Sequence, residues 1–218
     1  MTYYDPQIHH RRSIRLKGHD YSQPGAYFIT LVAYQRDSLF GAIRDGKVQL
    51  SLLGKIVQDE WMRSNGIRKE ITLHEDEFVI MPNHLHGIIW LIGTDGVRPY
   101  EFLHPVGADG VRPNEGVRTD DNILLNSGVQ QKPGAYHAPL RRKPRSISSF
   151  VAGFKAAVAS RAGKELDMTK IWQRNYYDHI IRNDQDFLNI WEYIDTNPQR
   201  WQEDQLYLSM PSNLSDRE

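Results

Sequence analysis

Four side chains, far apart in the chain, have the chemistry of a reaction site. The stretch M-P-N-H-L-H-G-I-I-W, residues 81 to 90, sets His84 and His86 one residue apart at the head of an apolar run. If that run is a strand, alternation puts both imidazoles on one face with Cβ atoms roughly 6–7 Å apart, close enough to converge on one ion. Imidazoles on a strand that is apolar on both faces need partners for their nitrogens. A pair of hydrogen-bonded histidines meets that need too, and one H-x-H among nine histidines is a weak signal. The second pair lies at 184–197, where Phe187, Leu188, Trp191 and Ile194 form the apolar stripe of a helix. Tyr193 falls more than ~100° from the centre of that stripe, and Asn197 follows one turn later on the same side. An exposed tyrosine and an Asn-Pro helix stop would give the same pattern. A tyrosine oxygen with a pKa near ~10 is an inert nucleophile unless a base or cation helps, and two imidazoles with an asparagine oxygen can hold a cation.

Other uses of H-x-H fit less well. A histidine-triad nucleotide hydrolase needs a third histidine at the next alternate position, which is Ile88. A metal-dependent barrel hydrolase needs about 250 residues of alternating βα units, a pattern absent from these 218 residues. The chain has no cysteine, which removes disulfides, zinc-thiolate sites and cysteine nucleophiles. Its 27 Lys+Arg balance 27 Asp+Glu, so only local clusters of charge can argue for a partner. The N-terminal residues lack an apolar signal core, and no run approaches the ~18 apolar residues of a membrane span. The expectation is a soluble, cytoplasmic protein with no membrane partner.

The elements that must position these residues can be read in order. Tyr27 to Gln35 is β-branched and aromatic and follows Pro24-Gly25, as a buried strand does. Asp45-Gly46 between two short apolar runs predicts a hairpin. Leu52, Leu53, Ile56, Val57 and Trp61 recur at helical spacing behind a cap at Ser51, up to Asn65-Gly66. Two strands are expected between Ile71 and Ile92, broken at Pro82-Asn83. Residues 93–145 repeat Asp-Gly-Val-Arg-Pro at 95–99 and 109–113 and read as a flexible Gly/Pro-rich insertion in a single domain. Beyond it come a helix behind a serine cap with Phe150, Val151, Phe154 and Val158 on one side, ending from Ala162-Gly163, then a strand-like stretch, I-W-Q-R-N-Y-Y-D-H-I-I-R-N, and the helix 184–197. The first six core elements spell β-α-β-β-α-β, so the expected fold is α+β and ferredoxin-like (RRM-like): an antiparallel sheet with helices on one face, plus an extra C-terminal helix carrying the tyrosine.

M-P-N-H-L-H-G-I-I-W, W-Q-R-N-Y-Y-D-H-I-I-R-N and E-Y-I-D-T-N-P, in this order, resemble the single-tyrosine HUH transposases, and most closely the REP-associated tyrosine transposases. The segment R-R-S-I-R-L-K-G-H-D-Y-S-Q-P-G-A-Y-F-I-T is similar to the same group. The resemblance covers about residues 11–92 and 141–200 and gives nothing for the segment between. It implies that His84, His86 and Asn197 bind a divalent cation, Mn²⁺ or Mg²⁺, and that Tyr193 is the nucleophile. The implied activity is cleavage and rejoining of single-stranded or hairpin DNA at palindromic repeats through a 5′-phosphotyrosine, by a monomer or a homodimer. Tyr176 and Tyr177 match no catalytic position and fall in the preceding strand region, while His179 is a possible support for a ligand or a phosphate.

Two basic clusters add softer support for DNA binding: Arg11, Arg12, Arg15 and Lys17, and Arg141, Arg142, Lys143 and Arg145. Two rival readings stand beside this one. A replication initiator or relaxase shares the histidine pair but brings a further domain for which 218 residues leave no room. A ferredoxin-like nucleic-acid-binding module without chemistry would show aromatic RNP-type motifs, and the R-G-F-x-F pattern is absent.

Overall fold

The computed structural model describes residue 16, residues 18–93 and residues 143–207. Strand β1 (Gly25–Val32) is G-A-Y-F-I-T-L-V, buried throughout except at its two ends. Hairpin β2 (Gly41–Arg44) and β3 (Lys47–Leu50) closes through Asp45 and Gly46, with φ of 51° and 69°. Two consecutive positive φ values are what a two-residue primed turn demands. Helix α1 (Leu52–Ile67) starts at Ser51, whose hydroxyl accepts the Gly54 N–H at 3.0 Å, as its sequence predicts. Then follow β4 (Ile71–Thr72), a 3₁₀ turn at Glu75–Glu77, β5 (Phe78–Met81), β6 (His84–Leu91), α2 (Ile147–Leu166), β7 (Tyr177–Ile181), α3 (Asp184–Thr196) and a last 3₁₀ turn at Trp201–Glu203.

In the sheet β7 pairs with β1, β1 with β6, and β6 with both β4 and β5, every pair antiparallel. With β4 and β5 as one interrupted edge, the elements on the sheet run β-α-β-β-α-β: the fold is α+β and ferredoxin-like, with α3 added. The two faces of the sheet are unequal. On one, Tyr27, Ile29, Leu31, Leu85, Ile89 and Leu91 pack against α1 and α2 in the main core. Trp61 of α1 is its centre, fully buried, with Phe78, Phe150 and Phe154 rings at 5.4–5.6 Å. Its indole packs on Gly87, where a Cβ would come within 2.6 Å of the ring. On the other face a smaller cluster of Ala26, Phe28, Ile88, Trp90 and Ile181 meets Phe187 and Ile194 of α3.

Four details depart from the sequence expectations. The edge strand splits because Glu77, in the turn between β4 and β5, is buried to accept a hydrogen bond from Trp90 Nε1. Helix α2 runs past Gly163 to Leu166 and ends where Asp167 turns left-handed and its N–H bonds Ala162 O. The stretch from Ile171 supplies only the five residues of β7, Trp172 making an isolated bridge to Ala33. On α3, Leu188 is 43% exposed, and Ile190 packs on the small cluster in its stead. The 93–145 insertion falls almost wholly outside the described residues. Among those described, no helix is long and apolar enough to cross a membrane.

Candidate active site

The histidines owe their setting to β6, whose eight residues are all buried. His84, His86, Ile88 and Trp90 point to the α3 side, and Leu85, Gly87, Ile89 and Leu91 to the main core. The His84 and His86 rings are 4.4 Å apart, with 0% and 4% of the residues exposed. Burial, helped by the neighbouring His86 ring, holds His84 well below the ordinary imidazole pKa, and burial lowers His86 too against the pull of Asp204, so both are neutral at neutral pH.

Two residues orient the rings. Asn83 Nδ2 donates to the carbonyls of Arg36 at 3.1 Å and Leu206 at 2.8 Å, which fixes the amide so that Oδ1 faces His84 Nδ1 at 2.8 Å. An amide oxygen only accepts, so Nδ1 carries the proton and Nε2 offers a bare lone pair. That Nε2 is buried without a hydrogen bond. Thr30, opposite His86 on β1, bonds His86 Nδ1 at 2.9 Å and turns Nε2 outward.

Helix α3 lays its last turn over this pair. It is launched by Asn183, whose side chain accepts the Asp186 N–H at 2.9 Å, and held by Phe187 and Ile194 in the small cluster. Tyr193 then leans from the helix, 42% exposed, with Oη 3.1 Å from His86 Nε2, across 107 residues of sequence. Its Oη–H also donates to Asp204 Oδ2 at 3.1 Å, and Asn197 Nδ2 donates to the same oxygen at 3.1 Å. Asp204 sits just past the last 3₁₀ turn, its Oδ2 at 3.8 Å from His84 Nε2 and 3.9 Å from His86 Nε2. Burial opposes ionisation of Asp204, but His86, the Leu206 N–H and the Asn197 amide together hold its pKa well below the usual carboxylate range. Burial and that carboxylate push the Tyr193 phenol upward, so in this arrangement it keeps its proton.

The donors suit a divalent cation. His84, His86 and Asp204 offer atoms all within 4.8 Å of one another, close to the roughly 3–4 Å spread of donors around one first-row ion. Asn197 Oδ1 is buried with no hydrogen-bond partner, as is His84 Nε2, so the site holds two orphaned acceptors. The group can hold a metal ion. All four expected residues, His84, His86, Tyr193 and Asn197, thus meet at Asp204, which the sequence did not single out. It lies outside the helix pattern, seven residues past Asn197, and only the fold brings it in.

The remaining expected residues sit elsewhere. His179 Nε2 bonds both carboxylate oxygens of Asp186, at 2.9 and 3.1 Å, tying β7 to α3. Lys143 is paired with Asp20, and Arg145 occupies a turn at φ 54° ahead of α2. Arg11, Arg12, Arg15, Lys17, Arg141 and Arg142 lie outside the described residues. Tyr177 is on β7, half exposed, and makes no hydrogen bond to the histidines among the described residues.

No protein-family model matches the chain. A solved REP-associated tyrosine transposase, bound to a REP hairpin, superposes with a TM-score of 0.50 over 86% of this chain and 74% of its own, at 16% identity. At that identity the likeness is one of fold. An uncharacterized protein of Haemophilus influenzae is 39% identical over 207 residues, which is 95% of this chain and 98% of the relative. The match therefore runs through the segment between β6 and α2. At this identity and coverage, the chain belongs to the same family as the Haemophilus influenzae protein.

Proposed function

We propose that the chain is a metal-dependent tyrosine transposase of HUH type, nicking and rejoining single-stranded DNA at hairpin-forming repeats. The observation that carries this reading is Tyr193 Oη, half exposed and 3.1 Å from His86 Nε2, beside a buried donor group able to take a cation. The fold it shares with a transposase bound to a REP hairpin supports the same substrate class. His84, His86 and Asp204, with Asn197 Oδ1, would hold Mn²⁺ or Mg²⁺. Bound there, the ion would supply Lewis-acid chemistry, polarising a phosphodiester and offsetting charge on its oxygens.

The chain's own part follows from the geometry. Tyr193 Oη attacks phosphorus, a Tyr–O–P bond forms, and the bond from phosphorus to the 3′ oxygen breaks. The phenolic proton passes to Asp204 Oδ2, 3.1 Å away, and the departing oxygen takes a proton from water to become a 3′-OH. The phosphotyrosine keeps the energy of the broken ester, so a 3′-OH from another strand can reverse the step. Tyr193 sits at the open edge of the site while both histidines are buried, so the strand approaches from the α3 side. A binding module that only stacks bases on an open sheet fits poorly, because α3 covers Phe28, Ile88 and Trp90.

The test is incubation with hairpin DNA and Mn²⁺, followed by denaturing electrophoresis. Wild type should form a denaturant-resistant protein–DNA adduct, and Tyr193→Phe should form none. His84→Ala should lose cleavage and keep hairpin binding. An adduct from Tyr193→Phe would move the nucleophile elsewhere, and absence of any adduct from wild type on genomic palindromes would sink the enzyme reading.

A further inference from the structure

Phe28 carries two half-exposed tyrosines, of which the proposed reaction uses one. Tyr193 of α3 meets its ring edge-on at 6.2 Å, and Tyr177 of β7 meets it edge-on at 6.4 Å. Their exposures are nearly equal, 42% and 43%, in a face whose other aromatics, Phe28 and Trp90, are buried. The sheet register explains the placement. Thr30 of β1 lies opposite His86 on one side and opposite Tyr177 on the other, so His86, Thr30 and Tyr177 form one row pointing to the same face. Two strand spacings put the Tyr177 backbone about 10 Å from that of His86. Helix α3 covers the neighbouring row, where Phe28 pairs with Ile88 and His179, and in the Tyr177 row His86 and Thr30 are buried while Tyr177, at the β7 end, stays exposed.

Burial would be the ordinary fate of an aromatic on this face, since a tyrosine ring gains by leaving water. Tyr177 is left out although β7 is otherwise well fixed, by Ile181 in the small cluster and His179 on Asp186. Three residues earlier, exposed Arg174 has no hydrogen-bond or ion-pair partner among the described residues. An exposed ring with an unpaired guanidinium three residues along the chain offers what a single strand uses: a face for a base and a charge for a phosphate.

We propose that Tyr177 is the stacking platform for a base of the single strand flanking the cleaved bond, which places the strand's path across β7. This rests on the DNA-cleaving reading above, and names the side on which the strand runs. Tyr177 acts here through its ring, as a positioning residue, while the bond to phosphorus belongs to Tyr193.

Hairpin oligonucleotides with a single-stranded flank, carrying 2-aminopurine at successive flank positions, test the proposal in the presence of Mn²⁺. With wild type, fluorescence should be quenched at one position near the cleaved bond. Tyr177→Phe should keep the quenching, and Tyr177→Ala should lose it and bind the flanked hairpin about 5- to 150-fold more weakly. Affinity for the same hairpin without a flank should not change. Equal quenching and affinity in Tyr177→Ala would overturn the proposal and leave the enzyme reading intact, provided the Tyr193-dependent adduct still forms. An adduct mapped to Tyr177 would overturn it too, by making that residue a nucleophile. If wild type bound no flanked hairpin, both readings would fall together.

Discussion

Thr30 and Asn83 never touch a substrate in the scheme above, yet they decide what His86 and His84 can offer. Each sits behind a ring nitrogen, at 2.9 and 2.8 Å, and fixes which nitrogen faces Tyr193 and Asp204. Thr30→Val keeps the shape and removes the oxygen, leaving His86 Nδ1 buried without a partner. Mn²⁺ affinity, read by electron paramagnetic resonance titration, should fall roughly 10- to 100-fold, the range for losing an outer partner of a metal histidine. Unchanged affinity would show that the ring is held by packing alone. Residue chemistry was partly legible in advance. Alternation along β6 and the helical wheel of α3 put His84, His86, Tyr193 and Asn197 on usable faces, because both signals are local periodicities. Thr30, Asn83 and Asp204 were not legible: a threonine in a strand, an asparagine in a turn and an aspartate after a helix are ordinary until strand pairing and chain reversal choose their neighbours.

At the scale of elements the clearest local signals held. Asp45-Gly46 made its hairpin and Ser51 capped its helix because turn and cap chemistry act within a few residues. Local signals failed where a distant partner intervened, as when Trp90 drew Glu77 inward and cut the edge strand in two. Gly87 shows how the motif H-L-H-G serves two layers at once. Its neighbours on β6 are for the site, but its own missing side chain is for Trp61 beneath. Gly87→Ala would place a methyl 2.6 Å from the indole, and the helix or strand must shift. Overpacking of this kind costs about 1–3 kcal/mol, so the urea midpoint should fall with little change in slope. A midpoint equal to wild type would mean that α1 slides freely on the sheet.

Across the whole molecule, Glu77 is a carboxyl whose proton the fold retains. Burial pushes its pKa from the ordinary 4.5 up to about 7, Asp76 adds to that, and the hydrogen bond from Trp90 opposes it. Folded chains hold this proton more tightly than unfolded ones, so the stability it contributes is full below pH about 4.5 and lost as pH rises through about 7. In thermal melts across that window, Glu77→Gln should flatten the decline in Tm. A wild-type slope retained in the variant would assign the effect to other groups.

The unequal faces of the sheet have a consequence for how such a protein can change over time. The large core under α1 and α2 contains none of the proposed catalytic residues. Those residues are polar groups at the margin of a cluster that, among the described residues, holds seven buried side chains. A substitution at Tyr193 or Asn197 removes an oxygen or an amide and leaves the main core as it was. Lineages can therefore lose the proposed reaction while keeping a stable body, so that an active copy and an inert one would share nearly the same outline.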